Sequence, residues 1–68
     1  MKDEKKEKII QYEVHMYVGD DAKPHVSVYP DFMYQRAKAQ HEREKKDHTT
    51  RPEVVTKVQF FRVEYHEL

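Results

Sequence analysis

The chain lacks cysteine and tryptophan, and its 68 residues include one glycine and three prolines. Without cysteine it can form neither a disulfide nor a thiolate metal site. The sequence shows no apolar run long enough to cross a bilayer or to form the core of a signal peptide. These absences predict one cytoplasmic domain, of a size at which folding buries only about 60% of the surface of the unfolded chain.

Charge of neither sign is in excess. Charged residues make up 38% of the chain, but 13 basic and 13 acidic residues cancel. A surface that binds phosphate groups normally needs a basic excess, so nucleic acid is our second choice of partner. Residues 1–8, MKDEKKEK, are nearly all charged, and we predict a flexible tail there, followed by a single domain at 9–68.

The segment Val54–Tyr65 is rich in β-branched and aromatic residues and contains no glycine or proline, which predicts the main strand. Its apolar residues change phase between Phe60 and Phe61. We interpret this change as a β-bulge that keeps both apolar series on the core side. In this interpretation Val55 is the one apolar residue that points outward.

Two further strands precede a helix. Residues 9–18 alternate between apolar and polar side chains, and residues 25–29 form a shorter strand after a turn that contains the single glycine. In the second strand we expect Val26 and Val28 to face the core and Tyr29 to face outward.

Asp31 is placed to cap a helix that we predict from Phe32 to about Lys46. The expected fold is therefore a small α+β domain of order ββαβ. It has a single-layer, three-stranded antiparallel sheet in the order 2-1-3, with the helix on one face.

This arrangement predicts two binding surfaces. The third strand is long, apolar and at a sheet edge, so it invites pairing with a partner or with a second copy in a homodimer. The predicted edge residues are Val55, Lys57, Gln59, Phe61 and Arg62. The predicted patch on the open face is Ile9, His15, Tyr17 and Tyr29.

The sequence shows no signature of catalysis or of a cofactor. Ser27 is the only serine, and no base and acid accompany it in a recognisable pattern. The five histidines lack the spacing of metal ligands, although an interface that responds to pH near 6.5 is compatible with them. We therefore predict no enzymatic activity, no metal and no cofactor.

Protein recognition is the function that these features favour. The strand-strand-helix-strand layout resembles that of some very small phage proteins that inhibit bacterial RNA polymerase, and the resemblance lies in element order alone. We expect a non-enzymatic interaction module, encoded by a phage or mobile element, that binds a host protein. The alternative is a small nucleic-acid-binding regulator that stacks bases on Tyr17 and Tyr29.

Overall fold

Three strands and one helix make up the part of the chain that the computed structural model describes, residues 8–66. Their order is β1 (Lys8–Val18), β2 (His25–Pro30), a 3-10 turn (Asp31–Met33), α1 (Tyr34–Thr50) and β3 (Val55–His66). The sheet is antiparallel throughout and has the order β2-β1-β3, which confirms the predicted ββαβ fold. Lys8 belongs to β1 and not to the predicted tail, and residues 1–7 lie outside the described residues.

The helix begins and ends later than the sequence predicted. Asp31 lies in the 3-10 turn, and Met33 precedes α1 without a side-chain cap, so the prediction of an Asp31 cap was wrong. At the other end, α1 continues past Lys46 to Thr50. The backbone N–H of Arg51 donates to the Asp47 carbonyl at 2.8 Å and closes the last turn.

The turn between β1 and β2 uses the single glycine as expected. Gly19 has φ of +57°, a conformation that costs other residues about 1 kcal/mol or more. Its N–H donates to the Val54 carbonyl at 2.9 Å, which ties this turn to the entry of β3.

The predicted bulge at Phe60 and Phe61 is absent. Phe60 pairs with Val14 and Phe61 with Glu13, so the ladder is regular there and the two rings lie on opposite faces of the sheet. The irregularity lies at the start of β3 instead. Val55 pairs with Val18 and Lys57 with Tyr17, which leaves Thr56 as the extra residue.

The displaced irregularity brings Val55 into the core. Val55 is 5% exposed, and Val14 and Ala37 are fully buried, so the prediction that Val55 points outward was wrong. The His48 ring contacts the same segment, with Nδ1 2.7 Å from the Val55 carbonyl oxygen. The end of α1 is therefore held directly over the entry of β3.

The core continues as an aromatic cluster between α1 and the sheet. The Tyr12 ring lies 4.9 Å from that of Tyr34 and 5.8 Å from that of Phe60, and His41 stacks on Phe60 at 4.9 Å. Phe32, the first residue of the predicted helix, lies instead in the 3-10 turn and is 87% exposed.

The side chains of β2 lie on the opposite faces of the sheet from those predicted. Tyr29 and Ser27 face α1, where the Tyr29 hydroxyl donates to Gln40 Oε1 and Gln40 Nε2 donates to Ser27 Oγ at 2.9 Å. Val26 and Val28 consequently lie on the other face, 48% and 52% exposed. In this phase the half-buried Gln40 amide has hydroxyl and carboxylate partners, which valine side chains could not supply.

Candidate protein-binding face

The sheet face opposite α1 is uncovered by any other element of residues 8–66, and we call it the open face. β1 contributes Ile9, Gln11, Glu13, His15 and Tyr17 to it, β2 contributes Val26, Val28 and Pro30, and β3 contributes Lys57, Gln59, Phe61, Val63 and Tyr65.

The middle of the open face is a polar row from β1. The His15 ring Nε2 lies 2.9 Å from Glu13 Oε1, and both side chains are about one-fifth exposed. Phe61 approaches the same histidine edge-on, with ring centroids 4.7 Å apart. These contacts hold the three side chains in a fixed arrangement at the centre of the face.

Apolar side chains flank this polar row on both sides. Val26 and Val28 stand on β2, and Phe61, 39% exposed, and Tyr65, 48% exposed, stand on β3. Ile9, at the end of β1, is 44% exposed and pairs with Tyr65, so it joins the β3 group. Exposed apolar side chains rimmed by polar residues often mark a binding site.

The structure distributes the predicted edge residues over both faces of β3. Lys57, Gln59 and Phe61 lie on the open face, while Arg62 lies on the face of α1. Arg62 Nη1 is 3.8 Å from Glu64 Oε1 on the same side of the strand. Val55 belongs to the core and leaves the candidate set.

Three of the four residues of the predicted patch lie on the open face. Ile9, His15 and Tyr17 lie on the open face, and the Lys57 ammonium sits 5.3 Å from the centre of the Tyr17 ring. Tyr29 lies on the opposite face and binds Gln40, so its assignment to the patch was wrong. The two tyrosines therefore cannot form one stacking platform for nucleic-acid bases.

Five apolar residues of the open face were placed in the core by the sequence interpretation: Val26, Val28, Phe61, Val63 and Tyr65. For β3 the signal was present, because two apolar series out of phase are also the pattern of a strand that is apolar on both faces. For β2 no such signal exists, since valine and tyrosine are both common strand residues and either phase leaves one apolar face.

The charged side chains near the end of β3 form ion pairs within the chain. Lys8 Nζ contacts Glu64 Oε2 at 3.2 Å. The hydrogen bond from Lys8 lowers the pKa of the Glu64 carboxyl below its ordinary value of 4.5, and the charges of Lys8, Arg62 and His66 add to this effect. Glu64 is therefore a carboxylate at neutral pH and offers an acceptor beside the Arg62 guanidinium.

Residues 8–66 hold no group of three or more His, Asp or Glu side chains placed to bind a metal ion. Within the same residues, α1 lacks the length and apolar character that a membrane-spanning helix requires.

Comparison with known proteins gives no match for this chain. No protein-family model matches the sequence, and neither does any curated protein or any solved structure.

Proposed function

We propose that this chain is a non-enzymatic protein-interaction module that binds another protein through the open face and the free edge of β3. One observation carries the proposal. On a face that the helix does not cover, five apolar side chains are 39–52% exposed: Ile9, Val26, Val28, Phe61 and Tyr65. Exposed apolar side chains grouped on an uncovered face are a feature of interaction sites.

The size of the face suits a specific interface. A standard interface covers about 800 Å² on each partner, of which somewhat more than half is apolar. On this face the apolar side chains would be buried in two groups, with Val26 and Val28 on one side of Glu13 and His15 and with Phe61 and Tyr65 on the other. The partner chemistry that fits is an apolar protein surface with a hydrogen-bonding group opposite Glu13 and His15.

The proposal places the partner in a host cell and the gene on a phage or other mobile element. Its support is the strand-strand-helix-strand order, which resembles that of small phage inhibitors, and the absence of cysteine fits a cytoplasmic protein. We propose no catalytic role, because the Ser27 hydroxyl accepts a hydrogen bond from Gln40 at 2.9 Å and belongs to the contact between β2 and α1.

Affinity capture with two matched variants tests the proposal. The bait is the full chain, compared with Val28→Glu on the open face and with Ala39→Glu on the outer side of α1, where Ala39 is exposed. Circular dichroism first establishes that both variants keep the fold. We expect a protein that the wild type and Ala39→Glu capture and that Val28→Glu loses, because a buried carboxylate would oppose the interface.

Capture that is equal for all three chains, or no capture at all, would contradict this function. A second contrary result is retention on DNA that collapses between low and moderate salt and is independent of Val28. That result would favour the nucleic-acid alternative, because phosphate contacts weaken steeply with salt.

A further inference from the structure

The two edges of the sheet are not equally available for pairing. β2 has six residues, follows Pro24 and ends at Pro30, and proline cannot donate a ladder hydrogen bond. β3 has twelve residues with no proline or glycine, and within residues 8–66 no strand pairs with its outer edge. A long edge strand without such protection is a template for another strand.

We propose that the occupant of this edge is a second copy of the chain, which pairs antiparallel with β3 about a twofold axis at Val63. The inference rests on the proposed function and deepens it by naming the partner at the β3 edge. The product is a six-stranded sheet with both helices on one side and the two open faces joined on the other.

Charge determines the register. A twofold axis perpendicular to the sheet sets each side chain opposite a side chain of the same face. With the axis at Val63, Arg62 faces Glu64 of the second copy, and Glu64 faces its Arg62. Both residues lie on the α1 side of β3 and are at least one-third exposed. Within the chain Glu64 already contacts Lys8 and Arg62, so in the dimer it would share its carboxylate between these cations and Arg62 of the second copy.

Other registers lose this complementarity. An axis at residue 62 sets Arg62 against itself, and an axis at residue 64 sets Glu64 against itself, which places like charges opposite each other. An axis at residue 61 sets the Arg62 guanidinium opposite the ring of Phe60. An axis at residue 65 sets Glu64 opposite His66 and pairs fewer of the described residues. The register centred on Val63 is the one that sets Arg62 opposite Glu64.

The open face supports the same register. Val63 faces its own counterpart, and Phe61 faces Tyr65 of the second copy, so two aromatic pairs form across the junction. Phe61 and Tyr65 are 39% and 48% exposed in the single chain and would gain cover. The helix contacts β3 at Val55 and Phe60, towards the other end of the strand, and leaves residues 62–66 accessible.

A charge-swap experiment tests the ion pairs. The chains are wild type, Arg62→Glu and Glu64→Arg, and sedimentation equilibrium measures their self-association. We expect the wild type to dimerise and the dissociation constant of each variant alone to rise about tenfold, because each sets like charges opposite each other. An equimolar mixture of the two variants should recover the dimer, since the chain with two carboxylates then faces the chain with two guanidinium groups.

The mixture separates pairing from folding. Any change that a substitution makes within its own chain is the same alone and in the mixture, so recovery reports contacts between chains. Variants that self-associate as the wild type does, or a mixture that stays as dissociated as its components, would overturn the inference.

Disulfide trapping tests the register independently. The chain has no cysteine, so a single introduced thiol has no competitor. With the axis at Val63, Val63→Cys brings the two Cα atoms about 4.5–5.5 Å apart, within disulfide range. Gln59→Cys is the matched control on the same face, and its counterpart lies about 27 Å away, roughly eight residues along the strand.

We expect a covalent dimer from Val63→Cys and none from Gln59→Cys under mild oxidation. A dimer from Gln59→Cys, or none from either, would overturn this register. If the wild type stays monomeric while Val28→Glu still abolishes capture of a protein, this inference fails and the proposed function stands. A Val63-centred dimer without Val28-dependent capture would support this inference and contradict the proposed function.

Discussion

Phe60 and Phe61 are consecutive in the chain, yet their rings lie on opposite faces of the sheet because they pair with Val14 and Glu13. Phe60 contacts Tyr12, Tyr34 and His41 under the helix, whereas Phe61 contacts His15 on the open face. One phenylalanine therefore supports the core and its neighbour supports the candidate interface.

This difference predicts unequal losses of stability. Phe60→Ala should lower the free energy of unfolding by about 3 kcal/mol, because it opens a cavity among three rings. Phe61→Ala should lower it by about 1 kcal/mol, because the side chain is 39% exposed and its loss leaves little cavity. Urea denaturation followed by circular dichroism measures both values. Equal losses would contradict the assignment of the two rings to different faces.

Val55 and Val54 are neighbours in the chain that differ in burial. Val55 is 5% exposed and Val54 is 40% exposed. Val55→Asp should cost at least about 3 kcal/mol of stability, because it buries a carboxylate without a partner. Val54→Asp should cost under about 1 kcal/mol. If thermal unfolding shows similar midpoints for the two variants, Val55 does not occupy the core.

Gln40 joins α1 to the β2 edge. Its amide accepts from Tyr29 and donates to Ser27 Oγ at 2.9 Å and to Glu44 Oε2 at 2.7 Å. Gln40→Ala should cost about 1–3 kcal/mol, because half-buried polar groups lose their partners together. Hydrogen exchange should show faster exchange in β2 and in the middle of α1. Gln35→Ala is the control, since Gln35 is an exposed residue of the same helix; an equal loss there would show that helix propensity, not the network, is responsible.

The Glu64 carboxyl makes stability depend on pH at the acid end. Its pKa is lowered in the folded chain, first by the hydrogen bond from Lys8. The folded chain therefore stabilises the ionised carboxylate more than the protonated carboxyl. The stabilisation is therefore fully present above the ordinary pKa of 4.5 and is lost as the pH falls through the lowered value. Lys8→Gln should raise the pKa of Glu64 toward 4.5, as measured by carboxyl NMR titration.

The control for this titration is Lys45→Gln, which removes a cation that contacts Glu42 at 3.6 Å on α1, away from β3. The pKa of Glu64 should be the same in that variant as in the wild type. A pKa that Lys8→Gln leaves unchanged would show that Arg62 and His66, not Lys8, hold the carboxylate.

Several features of the candidate site followed from alternation alone. Ile9, His15 and Tyr17 were placed on the open face because β1 alternates without interruption and its apolar side is unambiguous. Phe61 was assigned to the β3 edge, but the predicted bulge put its ring on the core side, and the structure places it on the open face. Val28 was missed because the sequence of β2 permits either phase, and the observed phase includes a hydrogen bond between Ser27 and the distant Gln40.

The sequence by itself determined the type and order of the elements, because alternation, turn residues and the β-propensity of Val55–His66 are properties of neighbouring residues. Tertiary structure alone decided which face each strand presents and where the ladder is irregular. Those features depend on pairing between residues far apart in the chain, such as Val18 with Val55 and Gln40 with Tyr29. A shift of one residue in such a pairing moves a whole row of side chains to the other face, and no local pattern records it.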